Sequence, residues 1–151
     1  MKKCNINKDL LLFKIFDIHK IICNKANKTL SKEGLQIQVE QAPVLMVAYY
    51  NGPQSQQEIA DELMRDKSSV LRTVNYLEKA GYVKIELDSN DKRKKLVMLT
   101  EAGTSLAERM AQEAYNVDDK MFANLSTAEK LILTELLDKV TTNITNTENI
   151  F

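Results

Sequence analysis

Histidine occurs once and cysteine twice in this chain of 151 residues; there are two prolines, four glycines and no tryptophan. A zinc site draws on several Cys and His ligands at short spacing. His19 stands alone, and Cys4 and Cys23 form no Cys-x-x-Cys pair, so no metal and no cofactor is expected. No nucleophile elbow, phosphate loop or pair of catalytic carboxylates is present, which argues against an enzyme. No stretch approaches the roughly 20 apolar residues of a membrane span. Met1-Lys2-Lys3-Cys4-Asn5 is followed by Lys8, Asp9 and Lys14, without the apolar region of a signal peptide. The expectation is a cytoplasmic protein with reduced thiols. No internal repeat or low-complexity tract stands out.

Net charge is absent as well: Lys+Arg and Asp+Glu are 21 each. This excludes a nucleic-acid binder that works by bulk charge, and the distribution is more informative than the sum. Residues 1–50 carry 8 basic and 4 acidic side chains, residues 51–100 carry 9 and 8, and residues 101–151 carry 4 and 9. The C-terminal third is acidic and is not expected to touch DNA. Hydrophobic content of 44% and charged content of 28% fit a globular protein. The length fits one domain, or one domain with added oligomerisation helices.

The chain is organised around residues 55–100. Ser55 and Glu58 have the S-x-x-E spacing of a capping box, and Pro53 resists any helix entering from upstream. A short helix from Ser55 to Met64 follows, with Ile59, Ala60 and Leu63 on its buried face. Asp66 is a good N-cap for a second helix, Lys67 to Ala80. At about 100° per residue, Val70, Val74 and Leu77 share an arc that must face the core. Opposite lie Ser68, Arg72, Asn75, Tyr76 and Lys79, with Ser69 at the edge. All are hydrogen-bond donors. Lys67 and the serines at the N-terminus suit phosphate, because that end exposes backbone N–H groups and a positive dipole. Ser55 and Gln56, at the start of the first short helix, join them as candidate DNA contacts. Arg72, one turn in, is placed for a base edge, and arginine is the commonest reader of guanine. Gly81 ends the helix as a C-cap glycine does.

Tyr82 to Leu87 and Lys95 to Leu99 read as strands. Between them runs a polar loop, Asp88 to Lys94. A hairpin tip with Lys92, Arg93, Lys94 and Lys95 suits phosphates or a minor groove. A solvated tip is the plainer alternative, but the order helix, helix, basic hairpin weighs against it.

The pattern D-K-S-S-V-x-R-x-V-x-x-L-E-K-x-G-Y-V, spanning Asp66 to Val83, and D-x-R-x-x-x-x-x-L-T-x-x-G, set by Asp91, Arg93, Leu99, Thr100 and Gly103, resembles the multiple-antibiotic-resistance regulator (MarR) family. The resemblance implies a mainly α fold with a small β-wing (α+β), a winged helix-turn-helix that binds DNA as a homodimer. It also implies that Arg93 enters the minor groove and that Asp91 orients basic side chains. Outside residues 55–103 the likeness rests on helix order more than on motifs.

The flanking segments fit that frame. Asp9 to Ser31 reads as a long helix with Leu12, Phe13, Phe16, Ile18, Ile21 and Ile22, ended by Gly34. Gln38 to Tyr50 reads as another, with Pro43 either in its first turn or marking a kink. Thr100 caps a helix running towards Asn124. Ser126 and Glu129 open a last one with Leu131, Leu133, Leu136, Leu137, Val140 and Ile144, and the chain is polar and frayed after Thr145. The wide apolar faces of the terminal segments, 1–34 and 104–151, are expected to serve dimerisation, leaving 35–103 as the DNA-binding domain.

The expected function is a sequence-specific transcription regulator, a repressor released by a ligand, acting on double-stranded DNA at a pseudo-palindromic operator. Phe16, Met46, Tyr49, Tyr50 and Tyr82 are core residues by default. The resemblance places a small-ligand cleft between the dimer helices and the wing domain, where they would suit a small aromatic or lipophilic effector. Two alternatives stay open: a winged-helix protein-interaction module without specific DNA binding, and a thiol-based redox regulator using Cys4 or Cys23. Arg72, Arg93 and the basic tip speak against the first. Cys23 lies near the end of its helix and reads as a structural thiol, which speaks against the second.

Overall fold

The computed structural model describes residues 10–147. They divide into two compact units, one up to Glu108 and one from Arg109 onward. The first holds α1 (Leu11–Lys32), a 3-10 turn (Val39–Gln41), α2 (Ala42–Asn51), β1 (Gln54–Ser55), α3 (Gln56–Glu62), α4 (Lys67–Lys79), β2 (Val83–Leu87), β3 (Lys95–Leu99) and the start of α5 (Glu101–Met121). The second holds the rest of α5 and α6 (Thr127–Asn146). The fold is the expected one: mainly helical, with a small three-stranded antiparallel sheet.

The centre of the first unit is built from short aliphatic side chains. Val44 and Leu45 of α2, Ile59 of α3, Val70, Val74 and Leu77 of α4, and Val97 of β3 are fully buried. α2 buries Ala42, Val44, Leu45, Val47 and Ala48, so it is covered on most sides. Pro43 sits in its first turn, where a missing N–H costs little.

α3, α4 and α6 begin at the caps the sequence announces. Ser55 Oγ accepts the Glu58 N–H at 3.3 Å, and the Glu58 carboxylate accepts the Ser55 N–H at 2.7 Å. Asp66 accepts the Ser69 N–H at 2.8 Å. Ser126 and Glu129 repeat the reciprocal box at α6. α1, α3 and α4 end alike. The residue after the C-cap turns left-handed, and two N–H groups reach back to orphan carbonyls. At α4 these are Gly81 to Glu78 and Tyr82 to Leu77, with Gly81 at φ 81°. At α3 they are Met64 to Asp61 and Arg65 to Ala60, so a methionine takes the position that glycine holds at the other two.

β3 is the middle strand. It pairs with β2 from Val83↔Leu99 to Leu87↔Lys95 and with β1 at Gln54↔Val97 and Ser55↔Leu96. Two residues carry no periodicity, so β1 has no signal in the sequence. The sheet is closed at its foot by Thr100, whose hydroxyl donates to the Gly81 carbonyl at 2.6 Å and accepts the Gly103 N–H at 3.0 Å. Gly103 is required there by space alone: a Cβ would lie 1.8 Å from the Tyr82 carbonyl oxygen.

α1 is tied to the 3-10 turn by Asn27, which accepts the Val39 N–H at 2.7 Å and donates to Glu40 at 3.0 Å. Arg65 donates to the Glu40 carbonyl at 3.2 Å, joining the α3–α4 turn to the same segment. Neither α1 nor α6 buries a residue. Leu11, Leu12, Ile15, Phe16, Ile18 and Ile21 of α1 are exposed, as are Leu131, Ile132, Leu136, Leu137, Val140 and Ile144 of α6. Boundaries differ from expectation by a few residues: the helix expected from Gln38 is a 3-10 turn followed by α2 from Ala42, α5 ends at Met121 rather than near Asn124, and α6 ends at Asn146. Asp9, the expected start of the first helix, and residues 148–151 of the expected frayed end lie outside the described residues.

Candidate nucleic-acid interface

α4 separates its two faces as the spacing predicts. Val70, Val74 and Leu77 are buried, while Lys67, Ser68, Arg72, Asn75, Tyr76 and Lys79 are exposed and Ser69 is half-buried. The buried arc fixes the helix against the core and turns the row of donors to the surface. Leu71 is exposed beside Arg72, an apolar member of the surface that the donor pattern did not single out.

The N-terminus of α4 is capped by Asp66, as the sequence suggested. The Asp66 carboxylate occupies the Ser69 N–H, and Val70 N–H already bonds the Asp66 carbonyl at 3.2 Å. Lys67 and Ser68 side chains remain exposed there. Ser55 and Gln56 are half-buried, and the Ser55 hydroxyl is engaged as the α3 cap.

The hairpin loop is shaped by its two aspartates. Asp88 accepts the N–H groups of Asn90 at 2.7 Å and Asp91 at 3.1 Å, which, with Asn90 the larger, hold its carboxyl below the usual range. Asp91 accepts the Arg93 N–H at 3.0 Å. Asp91 therefore holds the backbone that carries Arg93. Lys92, Arg93 and Lys95 are exposed. Lys94 differs: its ammonium sits 2.7 Å from Glu58 on α3. That contact is the largest cause raising the Lys94 pKa. It is also the largest of those, the Ser55 N–H next, that lower Glu58 to about 2. Glu58 was legible as a capping residue. Its ion pair was not, because the partner lies 36 residues away.

The residues considered for an effector lie in the first unit. Phe16 is 57% and Tyr50 70% exposed; Met46, Tyr49 and Tyr82 are half-buried. Tyr49 and Tyr50 meet edge to face with ring centroids 5.1 Å apart, and the Tyr82 hydroxyl accepts the Gln36 N–H at 3.3 Å. Cys23 is half-buried, 3.6 Å from His19 Nε2. Partial burial, then the neighbouring Glu40 carboxylate, push its thiol up, away from the thiolate that oxidation requires. Cys4 lies outside the described residues. Among the described residues no group of three or more His, Cys, Asp or Glu side chains is placed to hold a metal ion, and no helix is long and apolar enough to cross a membrane.

Comparison with known proteins places these features in a family. A model described as MarR family matches residues 34–94. An uncharacterised HTH-type transcriptional regulator of Bacillus subtilis, YwoH, is 30% identical over 120 residues, covering 80% of this chain and 85% of that protein. A MarR/EmrR family transcriptional regulator from Acinetobacter sp. ADP1 superposes with a TM-score of 0.79 at 27% identity, covering 94% of this chain and 100% of that one. S. aureus MepR, solved as a complex with DNA, superposes with a TM-score of 0.78 at 24% identity over 90% of this chain and 99% of its own.

Proposed function

This chain belongs to the MarR family, and from that premise we propose that it is a homodimeric, ligand-responsive repressor of the cytoplasm. It is a DNA-binding transcription regulator with a winged helix fold, and not an enzyme. The observation that carries the proposal is the division of α4 into a buried aliphatic arc and an exposed row of donors, followed in the chain by a basic hairpin.

In this reading α4 enters a major groove. Arg72 and Asn75 reach base edges, where bidentate pairing discriminates between bases. Lys67, Ser68, Tyr76 and Lys79 contact phosphate and sugar, which set register without reading sequence. Arg93 enters the adjacent minor groove, and Lys92 and Lys95 lie along phosphates. Two copies related by a two-fold axis read the halves of a pseudo-palindrome. The exposed leucines and isoleucines along α1, and separately along α6, support the dimer, since an exposed apolar helix face marks an interaction site. The half-exposed aromatic residues of α1 and α2 suit a small aromatic or lipophilic effector, because such ligands bind apolar clefts with a few orienting hydroxyls.

The test is Arg72→Ala. Binding to a duplex selected by the wild-type protein should weaken by about 1–3 kcal/mol, the value of one bidentate base contact, while binding to random duplex changes far less. Equal losses on the two duplexes would make Arg72 a phosphate contact.

A further inference from the structure

Lys94 is the first residue beyond the sheet on the wing side. The β2–β3 ladder ends at Leu87↔Lys95, and the last β1–β3 pair is Ser55↔Leu96. Past these pairs the loop holds itself by the Asp88 N–H on the Lys94 carbonyl at 2.9 Å and the Lys94 N–H on the Asp91 carbonyl at 2.8 Å. The Lys94 side chain then crosses to α3. Its ammonium meets Glu58 Oε1 at 2.7 Å while Glu58 Oε2 holds the Ser55 N–H at 2.7 Å. One carboxylate thus caps α3 and grips the wing, with both oxygens occupied.

We propose that the Lys94–Glu58 pair is a latch that positions the wing, and with it Arg93, against the start of α3, and that Lys94 is a positioning residue and not a phosphate contact. The inference rests on the DNA-binding reading for its consequence, though not for the latch itself. The chemistry is direct. A lysine already neutralised by a carboxylate adds no net charge to the phosphate face, so it releases no counterion on binding. What it supplies is order: a loop held before DNA arrives does not lose that freedom on binding. Neighbouring Lys92 and Arg93 are exposed and keep their charges for DNA. The latch is weak individually, since its two side chains are 38% and 44% exposed and such pairs hold little energy. A weak tie suffices for a short loop already fixed at both ends.

Two readouts on the full-length protein test this, one without DNA. Amide hydrogen exchange is measured at Asn90, Asp91, Arg93 and Lys94 in the wild type, Lys94→Met, Glu58→Gln and the double variant. Glutamine still completes a capping box, so Glu58→Gln keeps the α3 cap. Each single variant should exchange about two- to fivefold faster, the range open to an exposed ion pair, and the double variant no faster than either. The second readout is affinity across salt for a duplex selected by the wild-type protein from a random pool. Lys92→Met should lower the salt slope by about one unit. Lys94→Met should weaken binding with the slope unchanged, and Glu58→Gln, which frees the Lys94 charge, should steepen it. A drop of about one unit for Lys94→Met, or unaltered wing exchange in both single variants, overturns the latch. If the wild type selects no duplex, the DNA reading fails and the exchange data alone decide the latch.

Discussion

Met64 has a left-handed backbone, φ 49°, in the turn between α3 and α4, and its side chain is 90% exposed. No buried contact offsets the clash between a Cβ and the following carbonyl, which costs roughly 1–2 kcal/mol in that region. Met64→Gly should therefore raise stability by about 1 kcal/mol, part of the relief being lost to the freer unfolded chain; urea denaturation measures it. A destabilised glycine variant would mean that the thioether packs in a way its exposure does not suggest. At Arg93 the informative change is chemical rather than steric. Its planar fork suits the narrow, electronegative minor groove of A·T-rich sequence better than a compact ammonium does. Arg93→Lys should keep much of its non-specific binding and discriminate less against G·C pairs flanking the half-site. Affinities for two operators differing only in those flanks decide it, and wild-type behaviour on both would make Arg93 another neutraliser of phosphate.

At the scale of elements, α3 and the wing share one titrating group. The Glu58 carboxyl is lowered from its ordinary 4.5 to about 2, by Lys94 first and the Ser55 N–H next. A lowered folded pKa stabilises the folded state above the unfolded value, and that contribution is lost as pH falls through the folded one. The α3–wing tie should thus be intact above about pH 4.5 and fade between there and about 2. For a pair this exposed it is worth at most about 1 kcal/mol. Carboxyl carbon shifts followed by NMR should place the Glu58 midpoint below its ordinary value, and Lys94→Met should move it upward. A wild-type midpoint at the ordinary value would show that the pair does not form in solution. The elements themselves were largely legible: Ser55-x-x-Glu58, Asp66 and Ser126-x-x-Glu129 set the starts of α3, α4 and α6, and Gly34 and Gly81 the ends of α1 and α4. β1 was not, for a two-residue strand exists only through Val97 and Leu96 of β3.

For the whole molecule, the prominent fact is how much apolar surface one copy leaves exposed on α1 and α6. Covering apolar surface is favourable by about 25 cal/mol per Å², which favours a partner for these faces. The protein should sediment as a dimer at micromolar concentration. Deleting residues 126–151 should abolish both dimerisation and tight binding to a full palindrome. A truncated monomer that binds the palindrome with wild-type affinity would remove the dimer from the reading mechanism.

The sequence by itself determined where helices start and stop, which face of α4 is buried, and which side chains crowd the opposite face. Caps, glycines and helical periodicity act within a few residues, so one sequence contains them. Only the tertiary structure decided what Lys94 faces. Counted along the chain it is one of four consecutive cations and reads as a phosphate contact. Folded, the pairing of β3 with β1 brings it to the start of α3, where it pairs with a carboxylate 36 residues away. The same holds for Gly103, whose need for a bare Cα comes from the Tyr82 carbonyl against it. Charge and volume are read from a residue's name; which neighbour cancels or crowds them depends on contacts between distant segments, which no local pattern records.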